Sequence, residues 1–288
     1  TAFQVSSSIP GNTMTIDFND GTGEHNFNPN NGNNHRYNNS ILHYYQDVPP
    51  ELINTVTPSY NVRRFIKLRF RFPEYITYFE FQNFGVHGEF PKRLGMFNLT
   101  TGFRASLGTV SRFNSLPTDM RGFNGRDLIF LNSFTTPLTE VPMWVGQSII
   151  TNVTFNNTFN LSALPSATNI EAIGKIKNLT TLSLTANLNN NSLFDNLKTN
   201  PTLRSIVVSG NVNLTTIPSA ITNCSQITDL SYGNSGGSYL TSWGDLSLMT
   251  SLNSFTHSAA GNNISTPLTV PIGIVNCTNL KSYFCRNS

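Results

Sequence analysis

Oxygen-bearing side chains cluster in the segment DFNDGTGE, residues 17–24, where they could bind calcium. Carboxylate and amide oxygens are ligands that calcium takes, and Asp17, Asn19, Asp20 and Glu24 supply them. Their spacing does not match the regular ligand positions of an EF-hand loop. A plain Asp-Gly turn between two strands is the alternative, and the spacing favours it. We therefore predict no metal site and no other cofactor.

Three cysteines, Cys224, Cys277 and Cys285, could supply redox or metal chemistry. Cys224 and Cys277 each end a repeated phrase, LTTIPSAITNC and LTVPIGIVNC, so we expect them to hold equivalent places in the fold. The favoured interpretation is that both are reduced and buried packing residues. A Cys277–Cys285 bridge is the alternative. No Cys/His cluster has the ligand spacing of a zinc site.

Catalytic motifs are absent from the sequence. It has no Gly-x-Ser-x-Gly elbow, no phosphate loop and no His-Glu-x-x-His. Asp229 and Asp245 could approach one another, as a glycan-degrading enzyme would require, but two solvated surface acids are the simpler interpretation. The histidines are scattered at His25, His35, His43, His87 and His257. We predict a protein that is not an enzyme.

Hydrophobic residues recur in the frame L-x-x-L-x-L-x-x-N, which indicates a repeat architecture. LTTLSLTAN fits the frame at residues 179–187, and LRSIVVSGN fits it at residues 203–211. The starts at positions 179, 203, 227, 252 and 280 are 24, 24, 25 and 28 residues apart. Weaker copies begin at Ile227, Leu252 and Leu280, and upstream at Ile150 and Ile76.

A proline recurs in the same phase, shortly before most copies of the frame. Each has an apolar residue before it and another one three residues after it, as in Val141-Pro142 with Val145. Proline restricts φ and ends a strand ladder, so we expect it to turn the chain onto the opposite side of each repeat. The series is Pro91, Pro117, Pro142, Pro218 and Pro271.

Leucines and prolines in one phase resemble the leucine-rich repeat family over roughly residues 73–288. The resemblance implies an α/β-type, strand-dominated solenoid: a right-handed coil of about eight irregular turns with a parallel sheet on one face. We predict that the amides of Asn187 and Asn211 turn inward and bond backbone groups. The frame is not readable between residues 99 and 131, where FRAS and LIFLNSF are the best strand candidates.

Residues 1–72 do not fit the repeat. The stretch MTIDFNDGTGEHNF, residues 14–27, predicts a strand, an Asp-Gly turn and a second strand. It resembles the DWGDGT hairpin of PKD-like and related immunoglobulin-like β modules, with Phe18 in place of the tryptophan. We predict a small antiparallel β module and N-terminal cap at 1–72, followed by the solenoid at 73–288. The residues that match the hairpin pattern are Asp17, Asp20, Gly21 and Thr22.

The segment RRFIKLRFRF, residues 63–72, alternates apolar and basic residues and predicts an amphipathic strand. In the favoured interpretation Lys67, Arg69 and Arg71 form a solvated face that discourages edge pairing. The alternative is a docking strip for an acidic partner. This strand could also help to cap the first coil of the solenoid.

In the leucine-rich frame, the residues between and flanking the buried leucines point out from the strand face, which is usually concave. Short hydroxyl and amide groups dominate there, either because small side chains suit a crowded sheet or because the face binds a glycan or a partner's backbone. The candidate ligand-binding residues are Tyr78, Glu80, Gln82, Asn152, Thr154, Asn156, Thr181, Ser183, Thr185, Ser205, Val207, Ser209, Asp229, Ser231, Ser254, Thr256, Ser282, Phe284 and Arg286.

Composition narrows the class of function. Charged residues make up 11% of the chain and the net charge is +3, too mild for a general nucleic-acid binder. No apolar run is long enough to span a bilayer, so we expect no membrane insertion. A surface rich in Asn, Ser and Thr is typical of extracellular or virion proteins. Partners would be a host receptor, a glycan or neighbouring chains of an assembly, which could be a homo-oligomer.

These features predict a non-enzymatic extracellular recognition module. The composition, the irregular coils and the hairpin resemble surface proteins of the Bacteroidota and of their phages. We favour a phage virion fibre or decoration protein that contacts the host surface or its glycans. A bacterial cell-surface adhesin is one alternative. A purely structural virion or filament subunit, whose strand face packs on partner chains, is another.

Overall fold

The computed structural model describes thirteen strands and several short helices. The described residues are 2–9, 11–17, 24–27, 67–82, 90, 92–106, 113, 116–120, 122–131, 141–147, 149–156, 171–185, 197–209, 217, 219–235, 244–260 and 270–287. The strands are β1 Ala2–Ser7, β2 Met14–Asp17, β3 Glu24–Phe27, β4 Lys67–Phe70, β5 Ile76–Gln82, β6 Gly102–Ser106, β7 Asp127–Leu131, β8 Asn152–Asn156, β9 Thr181–Thr185, β10 Ser205–Ser209, β11 Asp229–Ser235, β12 Ser254–Ala260 and β13 Ser282–Asn287.

A ten-stranded sheet runs the length of the molecule in the order β1-β5-β6-β7-β8-β9-β10-β11-β12-β13. From β5 to β13 every neighbouring pair is parallel, and the strands follow one another in chain order. The chain is therefore a strand-dominated, leucine-rich-repeat-like solenoid, as predicted. The handedness of the coil stays a prediction. The first aligned residues of the strands are Tyr78, Gly102, Asp127, Asn152, Thr181, Ser205, Asp229, Ser254 and Ser282.

Alternation along each strand builds the core. In β9, Leu182 and Leu184 are buried, and they align with the equally buried Ile206 and Val208 of β10. Successive side chains of a strand point to opposite faces, so the residues between them face outward. Each coil buries its apolar side against the next coil, which is why one frame can be repeated along the chain.

The unreadable stretch contains two strands of the long sheet. FRAS lies in β6 and LIFL, the first four residues of LIFLNSF, lies in β7, so both are confirmed as strands, while NSF lies outside the described residues. The strand register places Thr100 and Gly125 where the frame expects its first leucine. Thr100 is exposed, and the neighbouring Leu99 fills the core instead. The repeat persists there in the backbone, although its side-chain signature has been lost.

Short helices occupy the side of the coils opposite the sheet, and prolines precede several of them. Pro142 comes directly before one helix, and the carbonyl of Pro117 accepts a 2.8 Å hydrogen bond from Trp144 Nε1. Proline suits a helix start because its fixed φ is already helical and its missing N–H is not needed there. The helices are Met143–Gln147, Glu171–Gly174 and Ser219–Thr222, with 3-10 helices at Pro73–Tyr75, Lys92–Met96 and Ile274–Asn276.

The repeated cysteines are packing residues. Cys224 and Cys277 are free and buried, which confirms the favoured interpretation and excludes the Cys277–Cys285 bridge. Burial raises the pKa of the Cys224 thiol to about 11, so it stays uncharged. Its Sγ donates to the carbonyl of Ala220, whereas Cys277 Sγ donates across the coils to the carbonyl of Leu246.

A buried amide does join two coils, but it belongs to Asn200. Its Nδ2 donates to the carbonyl of Ile176 at 2.7 Å, and its Oδ1 accepts from the backbone N–H of Thr202 and Leu203. These bonds satisfy backbone groups where the chain bends, which is the role predicted for asparagine in this frame. The predicted Asn187 and Asn211 lie outside the described residues.

The N-terminal strands form two structures. β1 adds an antiparallel strand to β5 at the edge of the long sheet. β3, β2 and β4 form a separate antiparallel sheet. Asn12 links the two regions: its Nδ2 donates to Ser7 Oγ and to the carbonyl of Phe72, and its Oδ1 accepts from the Phe72 N–H. The likeness to PKD modules and the division at residue 72 stay predictions; β1 pairs across that boundary.

Stability should fall below neutral pH because of His257. This imidazole occupies a core position of β12 and stacks on Tyr232, with ring centroids 6.5 Å apart. Burial lowers its pKa below the ordinary 6.5. As pH falls below 6.5, the His257 imidazole of the unfolded chain takes up a proton, whereas the buried imidazole of the folded chain stays neutral. The free energy of unfolding therefore decreases by up to ~1.4 kcal/mol per pH unit.

Urea unfolding of the wild type and of His257→Phe between about pH 7 and pH 5.5 measures this effect. We expect the wild type to lose stability across this window faster than the variant, which has no imidazole to protonate. Parallel pH profiles for the two proteins would contradict the prediction.

Candidate functional site

The strand face consists of the alternate positions of β5–β13 on the side of the sheet away from the core. Parallel register brings the first, third and fifth aligned residues of these strands into three rows. All the predicted binding residues hold positions in these rows, and the backbone register alone places Gln82, Asn156, Thr185, Ser209 and Arg286 there. The third row, for example, is Glu80, Arg104, Ile129, Thr154, Ser183, Val207, Ser231, Thr256 and Phe284.

The middle of the strand face is smooth and nearly uncharged. Thr181, Ser183, Ser205, Val207 and Ser231 are all half-buried, with their small side chains packed beside those of the neighbouring strands. Short hydroxyls in such a row offer donors and acceptors but few contacts of large area. A ligand bound there alone would be held weakly.

A large and two charged groups contact one another at the N-terminal end of the strand face. Tyr78 Oη donates a 2.7 Å hydrogen bond to Glu80 Oε2, and Arg104 Nε lies 3.3 Å from Glu80 Oε1. Glu80 is only 5% exposed, whereas the Arg104 side chain is 40% exposed. We call Tyr78, Glu80 and Arg104 the Glu80 cluster. Its buried carboxylate positions one aromatic ring and one guanidinium at the surface.

Gly102 adjoins the Glu80 cluster. This residue stands in the first row between Tyr78 and Asp127, and its φ of 141° strongly favours glycine. Gly102 is buried, and a Cβ there would lie 2.5 Å from Asp127 Cβ, so Asp127 packs directly against it. Asn152 Nδ2 donates a 2.6 Å hydrogen bond to Asp127 Oδ1. The first row therefore has no side chain between Tyr78 and the Asp127–Asn152 pair.

Sequence reasoning found half of this site. It singled out Tyr78 and Glu80, but it missed Gly102, Arg104 and Asp127 because the frame was unreadable at β6 and β7. If the strand candidates FRAS and LIFL had been aligned with the first strand of the repeat, Arg104 and Ile129 would have been placed in the same row as Glu80. The remaining row positions that were missed are Ser106, Ile129, Leu131, Gly233 and Ser258.

The predicted basic strip lies away from the strand face, on β4 and the residues after it. Arg69 is half-exposed and forms an ion pair with Glu24 of β3. Arg71 lies over the Phe72 ring, 5.0 Å from its centroid. Leu68 and Phe70 pack against the core, as the alternation predicts. The binding role of Lys67, Arg69 and Arg71 stays a prediction, although Arg69 already has an acidic partner within the chain.

Other candidate sites do not assemble in the described part of the chain. Asp17 and Glu24 pair in register across β2 and β3, while Asn19 and Asp20 lie outside the described residues. Asp229 begins β11, whereas Asp245 bridges to Ile272 in a connecting segment. Hydrogen bonds from Ser247 lower the pKa of Asp245. No group of metal-ligating side chains occurs among the described residues.

A cleft of about 370 Å³ lies on the helix side of the coils, away from the strand face. Trp144 and Phe123 meet there edge to face, with ring centroids 5.5 Å apart. Within the described ranges, no helix is long and apolar enough to cross a membrane. The cleft is lined by Thr118, Asp119, Met120, Gly122, Phe123, Met143, Trp144 and Gln147.

The chain is similar to the leucine-rich-repeat ectodomain of the plant membrane receptor kinase GASSHO1/SCHENGEN3 from Arabidopsis thaliana, solved in complex with CASPARIAN STRIP INTEGRITY FACTOR 2. Identity is 17% and the TM-score is 0.26, over 69% of this chain and 32% of that chain. A TM-score this low does not establish a shared overall shape, so the architecture above rests on this chain's own strand pairing. No family model and no curated protein matches the chain.

Proposed function

We propose that the chain is a non-enzymatic extracellular recognition module that binds a glycan through the N-terminal end of its strand face. The Glu80 cluster supports this proposal most directly. Burying a carboxylate is costly unless it is paired, and Glu80 is paired on both sides. A buried, paired carboxylate of this kind stabilises a fold no more than well-packed apolar side chains of similar size would. Its use is to hold the Arg104 guanidinium and the Tyr78 ring in fixed positions at the surface.

The groups around Gly102 suit a neutral sugar. An aromatic ring offers an apolar platform with a polar tip, and a guanidinium offers a planar fork of donors. Asp127 and Asn152 add acceptors and a donor on the other side of Gly102. A protein backbone could use the same donors, but this group of side chains covers a small area compared with a standard protein interface. We favour a phage fibre or decoration protein as the biological setting, with a bacterial adhesin as the alternative.

Binding of recombinant 1–288 to whole cells of candidate hosts and to a glycan array tests the proposal. We expect Arg104→Gln to weaken saturable binding about tenfold or more, since anchor residues carry most of the binding energy. Arg93→Gln is the matched control because this exposed arginine lies in the 3-10 helix Lys92–Met96, away from the strand face. It should leave binding unchanged.

A double variant, Thr181→Arg/Ser205→Arg, tests how far the ligand extends along the strand face. Loss of binding in this variant would extend the contact from the Glu80 cluster to β9 and β10. Binding that survives in both this variant and Arg104→Gln would refute the strand face as the site. If the folded protein binds no cell and no glycan, the structural-subunit alternative would be favoured instead.

A further inference from the structure

A series of side-chain hydrogen bonds crosses three neighbouring coils near the N-terminal end of the strand face. Thr180, the residue before β9, has its Oγ1 atom 3.2 Å from Asn152 Oδ1 in β8. Asn152 Nδ2 in turn donates to Asp127 Oδ1 in β7 at 2.6 Å. All three side chains are half-buried. We call Thr180, Asn152 and Asp127 the Asn152 network.

The Thr180 hydroxyl donates to Asn152 rather than to the backbone. Its Oγ1 also lies 3.0 Å from the carbonyl oxygen of Thr151. That oxygen already accepts the backbone N–H groups of Thr180 and Thr181, at 2.7 Å and 3.1 Å. A carbonyl oxygen has two lone pairs, so both are occupied and the hydroxyl proton is left for Asn152 Oδ1.

This hydrogen bond fixes which way the amide of Asn152 faces. An asparagine amide can present either its oxygen or its nitrogen to a neighbour, and the hydrogen-bond partners decide between them. Here a hydroxyl donor holds the amide oxygen on the β9 side, and a carboxylate holds the amide nitrogen on the β7 side. At the equivalent position two coils later, Thr228 instead donates to Asp229 of its own coil at 2.7 Å.

The Asn152 network keeps one donor and one acceptor for a ligand. An amide nitrogen carries two N–H groups, and the bond to Asp127 uses one of them. Among the described residues, Asp127 Oδ2 has no hydrogen-bond or ion-pair partner. Because the carboxylate and the amide are bonded directly to one another, the remaining oxygen and the remaining N–H belong to adjacent groups on one surface.

We propose that the Asn152 network selects a vicinal diol of a neutral sugar, and that Thr180 is its positioning residue. One hydroxyl of the diol donates to Asp127 Oδ2, and the neighbouring hydroxyl accepts from Asn152 Nδ2. A sugar hydroxyl can do either, since it carries one donor and two acceptor sites. This selection rests on the proposed function, because it specifies which glycans the strand face binds.

The same groups disfavour acidic and deoxy sugars. A carboxylate or sulfate placed on the network would face Asp127, which forms no ion pair with any cation in the described part of the chain. Arg104 does not offset that charge, because it is paired with Glu80 at 3.3 Å. A sugar that lacks one hydroxyl of the diol would leave a donor or an acceptor of the network unpaired, which costs affinity.

An array of neutral glycans, each beside its deoxy and its acidic counterpart, tests the selection with recombinant 1–288. We expect the wild type to prefer the intact neutral glycan about tenfold or more over both counterparts. Thr180→Val, which removes the hydroxyl and keeps the branched shape, should weaken binding of the neutral glycan about three- to tenfold. Thr180→Ser, which keeps the hydroxyl, should bind like the wild type.

Thr228→Val is the matched control. It removes a hydroxyl from the equivalent position two coils later, where the hydroxyl donates to Asp229 and not to Asn152. It should leave both the affinity and the preference unchanged. Mild periodate oxidation of candidate host cells gives a second test, because periodate cleaves the bond between two carbons that carry neighbouring hydroxyls. Oxidised cells should bind far less protein than cells treated with quenched reagent.

Nuclear magnetic resonance measures the positioning role without any ligand. The signals of the Asn152 side-chain amide can be assigned by their loss in Asn152→Ala. We expect its two protons to differ widely in chemical shift in the wild type, since one of them is bonded to a carboxylate. Thr180→Val should narrow this difference, whereas Thr228→Val should not.

The outcomes separate this selection from the proposed function. Wild-type binding that is equal for intact and deoxy glycans, or that survives periodate, would overturn the selection and leave the proposed function standing. Affinity and amide signals that Thr180→Val leaves unchanged would overturn the positioning role. A folded wild type that binds neither glycans nor cells would overturn the proposed function, and the selection with it.

Discussion

Phe130→Ala is expected to lower the free energy of unfolding by about 3–5 kcal/mol. Phe130 is fully buried at the centre of a phenylalanine ladder that runs through β5–β8. Its ring centroid lies 5.6 Å from that of Phe103, 5.7 Å from that of Phe90 and 5.9 Å from that of Phe155. Alanine would remove all of these contacts and leave a cavity between two coils, which the stacked backbone cannot close.

Chemical denaturation followed by circular dichroism measures this loss. Phe130→Leu should cost less, because it keeps much of the buried volume. Tyr75→Ala, at an exposed aromatic residue, should cost under about 1 kcal/mol. Since each coil contacts only its neighbours, hydrogen exchange should accelerate most in β6–β8. Equal losses for Phe130→Ala and Tyr75→Ala would show that the ladder is not a core.

Gly102→Ala is expected to destabilise the chain by about 2–4 kcal/mol, through backbone strain and a steric clash together. The φ of 141° at this residue is one that side chains rarely adopt. The added Cβ would also lie 2.7 Å from the Asp127 carbonyl oxygen, and backbone atoms cannot move aside as a flexible side chain could. The same substitution would displace Asp127, which accepts the hydrogen bond from Asn152 beside Gly102.

Gly11→Ala separates strain from crowding. Gly11 also has a positive φ, 68°, but a Cβ there meets nothing within 4 Å. We expect this control to lose only about 1 kcal/mol. Thermal melts and glycan binding should be measured on both variants. Binding should fall in Gly102→Ala and stay unchanged in Gly11→Ala. Similar melting temperatures for the two variants would contradict the argument from crowding.

The predictable parts of the fold were those in which local and long-range requirements agree. Leu182 and Leu184 alternate as a strand requires, and they also recur at the interval that stacking requires. Pro142 and Val145 belong to a second series, which recurs in phase with the leucines on the side of the coil opposite the sheet. The same logic identified β6 and β7 as strands without assigning their register. Thr100 and Gly125 carry no leucine, so the sequence had no mark from which to count.

The site was harder to predict because its members come from different coils. Tyr78 and Glu80 attracted notice as the largest side chains on the first coil. Arg104 stands between Phe103 and Ala105 and has no local feature that links it to Glu80. Only the parallel register, which aligns residues 24 positions apart, brings the guanidinium to that carboxylate. The sequence also could not show that Arg69 has Glu24 as a partner.

The sequence by itself determined the architecture of this protein. The leucine frame and the prolines recur in one phase. This pattern permits only a stack of similar coils, because each coil can bury its apolar residues only against another coil. The tertiary structure alone decided which positions are covered. Ile217 and Val270 stand at equivalent places in the repeated phrase, yet Ile217 is fully buried and Val270 is 68% exposed. The strand register likewise decided which residues form the Glu80 cluster. Contacts between coils depend on how neighbouring strands align, and the sequence of a single repeat does not contain that information.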